Sequence, residues 1–172
     1  VLTPPLVENA AKALASAGAD IVFQMGIPLN AFKGYGFDNV IMERIRKASN
    51  LPAYTMALSV VDSLKRLGVR NPVVVTVYRQ ELNGFQVSCV ETFENGKLTS
   101  SENVSPDGQN VNAQPAEVAY QLTKRVFSKA SGGDGVFISC GGFRTVTMIS
   151  KLEEELGVPV TSAAHAVIWK SL

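Results

Sequence analysis

Cys140 closes a run of strand-forming residues and is followed at once by Gly141 and Gly142. A thiol at such a turn is suited to proton transfer or nucleophilic attack. The adjoining backbone N–H groups carry no side chain over them and can cradle an anion, with the dipole of a following helix behind them. The competing reading is a buried cysteine beside glycines needed for close helix packing. Cys89 has no glycine beside it and falls within a helical pattern, which marks it as a packing residue. These two cysteines form no metal-ligand spacing. Arg144, four residues past Cys140 on that expected helix, could pair with a carboxylate or stand solvated. His165, the single histidine, could pair with Cys140 or serve packing. Phe32, Tyr35 and Phe37 lie among Gly34 and Gly36, as an aromatic wall for an apolar substituent or as a packed loop tip. Glu153, Glu154 and Glu155 read as a solvated helix face.

The elements that must position these residues alternate between strand and helix. Residues 6–17 have helical apolar spacing, and 20–25 read as a buried strand. An amphipathic helix follows over 37–49, with Asp38 near its start and Arg46 and Lys47 near its end, as the macrodipole favours. Strands are expected at 52–55, 72–77, 136–139 and 158–161. Helices are expected at 59–67, 79–93, 115–128, 145–156 and 164–169. The polar segment 94–114, with Asn95-Gly96 and Pro106-Asp107-Gly108, is the longest loop. Such alternation argues for parallel sheet with helices on both faces.

An internal repeat organises the chain. Residues 20–26 (DIVFQMG) lie against 134–140 (DGVFISC) at an offset of 114, which matches Gly26 to Cys140. Downstream, 50–53 (NLPA) lies against 157–160 (GVPV) at an offset of 107. The fall from 114 to 107 gives the first half seven extra residues after its strand. Duplication predicts two pseudo-symmetric lobes, each a parallel sheet flanked by helices. The first lobe would span 1–58, completed by the C-terminal helix 163–172, and the second 59–162. Ligands of parallel α/β structures bind beyond the carboxyl ends of the strands, so Gly26 and Cys140 are expected to face one cleft between the lobes.

Composition excludes several classes. With 46% hydrophobic and 18% charged residues the chain belongs with globular proteins. A net charge of +1 without a basic run gives no footprint for nucleic acid or an anionic membrane. Apolar runs of only strand length predict no transmembrane segment, and no signal-like start is present. Reduced cytoplasm is the default compartment for such a chain. It opens at Val1 rather than methionine, which leaves room for an upstream segment.

Beyond these readings the chain resembles the aspartate/glutamate racemase superfamily, most closely its arylmalonate decarboxylase branch, and is also similar to the maleate cis-trans isomerases. The resemblance rests on Met25-Gly26, Gly34, residues 50–53, 64–70 (LKRLGVR), Thr76-Val77-Tyr78 and Glu81-Leu82-Asn83. It continues through Asp134-Gly135, residues 139–142 (SCGG), 156–162 (LGVPVTS) and Trp169. Family members begin with a further strand and a loop over the site, so the first lobe is expected without its leading strand.

The resemblance implies chemistry. Racemases and isomerases of this superfamily carry a cysteine at both strand ends, one on each face of the substrate carbon. The decarboxylase branch, like this chain, has glycine at the first and cysteine only at the second. One acid protonates one face, so loss of carboxylate from a prochiral malonate gives one enantiomer. No metal or organic cofactor is implied, because hydrogen-bond donors around the retained carboxylate stabilise the enediolate. Tyr78 and the Gly141 backbone match the family's donors. Where the decarboxylases carry two hydroxyl residues after Gly26, this chain has Ile27 without a side-chain donor and Pro28 without even an N–H. The expected function is cofactor-independent decarboxylation of a substituted malonate-like diacid, with Cys140 as proton donor and Gly26, Ile27, Pro28, Tyr78 and Gly141 around the substrate. The alternatives are a racemase or cis-trans isomerase of a small carboxylic acid, and a carboxylate-binding homologue without chemistry. The expected partner is a small carboxylate rather than nucleic acid or membrane, with homo-oligomerisation left open.

Overall fold

The computed structural model describes residues 5–31, 33–34, 36–76, 114–130 and 132–172. Tyr78, Cys89, Phe32, Tyr35, the helix expected over 79–93 and nearly all of the loop expected over 94–114 lie outside the described residues. The elements are α1 (Leu6–Ser16), β1 (Val22–Gln24), α2 (Ile27–Ala31), α3 (Phe37–Ser49), β2 (Ala53–Thr55), α4 (Met56–Arg66) and β3 (Pro72–Val75). After these come α5 (Ala116–Lys129), β4 (Gly135–Ile138), a 3₁₀ turn (Val146–Met148), α6 (Ile149–Leu156), β5 (Val160–Ser162) and α7 (Ala163–Ser171).

Two parallel sheets result, β1-β2 and β3-β4-β5. Their register reproduces the repeat. Val22 pairs with Ala53 in the first sheet, and their repeat partners Val136 and Val160 pair in the second. The agreement extends into the turns. Gly18 and Gly132 both take positive φ, 82° and 92°. Thr55 caps α4 by accepting the Leu58 N–H, and Ser162 caps α7 by accepting the His165 N–H. These pairs share the offsets seen in the sequence, so duplication holds at the level of backbone conformation.

Burial explains why the strands read as they do. Every residue of β3, β4 and β5 is buried, because helices cover both faces of their sheet. On one face Val73, Val75, Val136, Ile138 and Val160 meet Leu122 and Val126 of α5 and Leu152 of α6. On the other, Val74 and Phe137 meet Val60 and Leu64 of α4, with Ala163 and Ala166 of α7 beside them. The first sheet packs Val22 and Ala53 against Val7 and Ala11 of α1 and Ile41 and Ile45 of α3. Glu8 clamps α1 to α3 by accepting two hydrogen bonds from Arg44, at 2.7 and 3.0 Å. On the opposite face Phe23 stacks on Tyr54, and the Lys170 ammonium of α7 lies 5.2 Å from the Tyr54 ring centroid. No described helix is long and apolar enough to cross a membrane.

Two expectations need correction. Residues 27–31 form α2 where only a loop was expected. Pro28 suits a first helical turn, since its missing N–H would have no intrahelical partner there. The helix expected directly after Cys140, over 145–156, begins as a 3₁₀ turn at Val146 and becomes α-helical only at Ile149. Gly141 and Gly142 are poor helix formers, and Cys140 has a left-handed φ of 88° that no right-handed helix can contain. Arg144 therefore sits in irregular chain before the 3₁₀ turn, and the helix dipole invoked behind Cys140 starts too far along the chain to act there.

Candidate active site

The two matched strand ends are built alike. β1 runs out at Gln24 and the chain reverses at Gly26, whose φ is 93°. β4 runs out at Ile138, the Ser139 N–H extends its ladder to the Val75 carbonyl at 2.7 Å, and the chain reverses at Cys140. Gly26 accepts the Leu29 N–H at 3.2 Å, and Cys140 accepts the Phe143 N–H at 3.2 Å. Leu29 and Phe143 are themselves repeat partners, so the two turns are the same turn. Glycine adopts this conformation freely. Cys140 is one of only two described non-glycine residues at positive φ; the other, Asn50, caps α3 and is of a type that tolerates it. A non-glycine residue held there is strained, and such strain gathers at functional sites.

These strand ends approach one another. A Cβ placed on Gly141 would lie 2.6 Å from the terminal methyl of Met56 and 3.7 Å from that of Met25. Met25 directly precedes Gly26, and Met56 opens α4, so Gly141 presses backbone against side chains that leave the first sheet. The 2.6 Å figure means any side chain at 141 would displace Met56. Cys140 is free and half-buried, resting against the α5–α6 face of the second sheet.

The remaining expected residues divide. Pro28 is half-buried next to Gly26, but the Ile27 side chain points into the core among Met56, Ala57 and Val60 and is 5% exposed. Ile27 therefore offers a ligand only backbone. Gly34 and Gly36 make the turns before α3 at φ of 88° and 94°, and Phe37 packs against the core of the first sheet. His165 is half-buried, and its Nδ1 has no hydrogen-bond partner among the described residues. Of the three glutamates, Glu153 accepts the Val160 N–H at 3.0 Å and Glu155 accepts the Tyr120 hydroxyl at 2.6 Å, so the run is not merely a solvated face. Lys124, also bonded to Glu155, together with that hydroxyl holds the Glu155 carboxyl below the usual range.

One group escaped sequence reading. Asn30 of α2 is 1% exposed and donates to Gln24, the last residue of β1, and to the buried carboxylate of Asp38 at 2.8 Å. It ties the two ends of the segment that turns at Gly26. No short-range pattern signals it, because its two partners come from two other elements, β1 and α3.

A doubled parallel α/β unit with one thiol at two matched strand ends defines the class, and comparison with known proteins agrees. The arylmalonate decarboxylase family matches over residues 5–172. An arylmalonate decarboxylase of Bordetella bronchiseptica is 30% identical over 167 residues, covering 96% of this chain and 69% of that protein. The structure of an unliganded arylmalonate decarboxylase superposes with a TM-score of 0.84 at 30% identity, over 95% of this chain and 71% of that one. A maleate isomerase of Pseudomonas putida S16 shares the fold, with a TM-score of 0.83 at 21% identity over 96% of this chain and 68% of that one. The chain belongs to the arylmalonate decarboxylase family, and with it to the decarboxylases and isomerases of the aspartate/glutamate racemase-like superfamily.

Proposed function

We propose that the protein removes one carboxylate from a substituted malonate-like diacid without a cofactor, and that Cys140 protonates the enediolate that remains. The site would lie in the cleft between residues 1–58 with 163–172 on one side and 59–162 on the other. The C–C bond to one carboxylate breaks and carbon dioxide leaves. The electron pair stays on the α-carbon and spreads into the retained carboxylate. The Cys140 thiol then gives its proton to that carbon, and solvent returns one to the thiolate. Backbone N–H groups at Gly141 receive the charge that develops on the retained carboxylate, and Tyr78 is the expected second donor.

One observation carries this reading: the turns at Gly26 and Cys140 are equivalent, yet only one bears a thiol. A single acid favours one-sided protonation over racemisation, which needs an acid and a base on opposite faces. The test is carbon dioxide release from aryl- and alkylmalonates in heavy water. The expected product is a single enantiomer labelled at the α-carbon, and Cys140→Ser should lower turnover by at least a hundredfold, since a hydroxyl is a far weaker acid than a thiol. Full activity in that variant would remove Cys140 from the mechanism. Racemisation of a resolved amino or hydroxy acid by the wild type would favour the isomerase reading, and carboxylate binding without any turnover would leave a non-catalytic homologue.

A further inference from the structure

At the carboxyl end of β4 an open cavity of about 560 Å³ lies between the turn 141–147, the first residues of α5 and Ala164 of α7. Its volume falls within the range of small-molecule sites. The walls contributed by Pro115, Ala116, Phe143, Val146 and Ala164 are apolar. The polar side chains facing it are Arg144, Thr145 and Thr147, and Thr145 is committed to the Ser162 hydroxyl at 2.8 Å. Arg144 is exposed and makes no hydrogen bond or ion pair with the described residues. Gly141, assigned above to the retained carboxylate, lines the same cavity.

We propose that this cavity receives the substituent of the substrate and that Arg144 pairs with a negative charge at its tip, so that the substrate is a malonate whose side chain ends in a carboxylate. The inference rests on the decarboxylase reading of Cys140 and deepens it. An arginine on open surface is ordinarily just solvated. Arg144 instead lines a largely apolar hollow that Gly141, the anion cradle, also lines. A ligand held by one carboxylate at Gly141 can span the hollow with an apolar stem and meet the guanidinium with a second, bidentate contact. Arg144 is four positions past Cys140, so their Cα atoms lie within about 14 Å, and the reach of the arginine shortens the gap to a stem of roughly two to five carbons.

The experiment compares 2-alkylmalonates with 2-(ω-carboxyalkyl)malonates of equal length on the wild type and Arg144→Gln. The wild type should prefer the carboxylate-tipped acid by about tenfold to a hundredfold in kcat/KM, as expected for a charge-assisted hydrogen bond. In Arg144→Gln that ratio should fall to near unity, mainly through KM, because the tip lies away from the reacting carbon. No preference in the wild type, or equal losses on both substrates in the variant, overturns the proposal. If the wild type decarboxylates neither acid, the decarboxylase reading has failed. Calorimetric titration with glutarate and butyrate then decides the charge reading alone: tighter glutarate binding that Arg144→Gln removes supports it, and equal affinities refute it.

Discussion

Cys140 holds its backbone at φ 88° where its repeat partner Gly26 sits at 93°, and this contrast can be measured as stability. At most positions alanine stabilises over glycine by about 0.5–1 kcal/mol, because glycine loses more backbone freedom on folding. At position 140 the order should invert. A side chain held in a sparsely populated region costs about 1–3 kcal/mol, and only glycine removes that cost. Setting the strain against the entropy leaves Cys140→Gly more stable than Cys140→Ala by about 1 kcal/mol. Both variants lose the sulfur, so its packing cancels in the comparison. In a protein of 172 residues such a difference moves Tm by about 2–4 °C. The assay is urea unfolding followed by circular dichroism, with equal m-values confirming that only stability changed. Ala13→Gly, on the exposed face of α1, is the control and should destabilise by about 1 kcal/mol. An alanine variant at 140 as stable as the glycine variant, with the control behaving normally, would show that the turn stores no strain.

Three further outcomes test the surroundings. Gly141→Ala puts a methyl group 2.6 Å from the Met56 methyl and should cost about 1–3 kcal/mol with a loss of turnover; a double-mutant cycle with Met56→Leu should be non-additive, since the shorter side chain yields the space. Ser162→Ala should cost more than Thr55→Ala, each losing a helix cap of about 1 kcal/mol, because it also leaves the buried Thr145 hydroxyl without its acceptor. The hydrogen bond from Arg44 holds the Glu8 carboxyl below its ordinary value of 4.5, so this contact stabilises above that pH and is lost as pH falls through the lower folded value; Glu8→Gln should therefore lower Tm at pH 7 and leave it unchanged in acid strong enough to protonate the carboxyl in the folded protein, and a variant equally destabilised under both conditions would rule the charge out.

How much was legible follows from which interactions are local. The helix at 37–49 was read to its exact bounds because Ile41, Met42 and Ile45 repeat on one face and Asn50 ends it. The matched turns at Gly26 and Cys140 were legible because duplication leaves its offset in the sequence. Neither the core position of Ile27 nor the contact of Gly141 with Met56 was, since both arise where the two sheets meet and no spacing along the chain encodes them. The resemblance puts Ile27 beside the substrate because it holds the position of a hydroxyl donor in the decarboxylases. In α2 the same residue turns inward, where it covers the start of α4.

That inward turn bears on how a family site can persist with altered donors. The first half spends its additional seven residues around α2 and the approach to α3, where Asn30 fixes the segment between Gln24 and Asp38. The second half has no such insertion and passes from Cys140 through Gly142 into irregular chain bearing Arg144. Among the described residues, Ile27 and Pro28 therefore add no side-chain donor after Gly26, while Arg144 follows Cys140 in the second half. On the decarboxylase reading proposed above, an anion bound between them would be held more strongly from the second sheet, beside Cys140. On that reading, charge supplied by Arg144 changes which diacids fit without adding a second acid at Gly26.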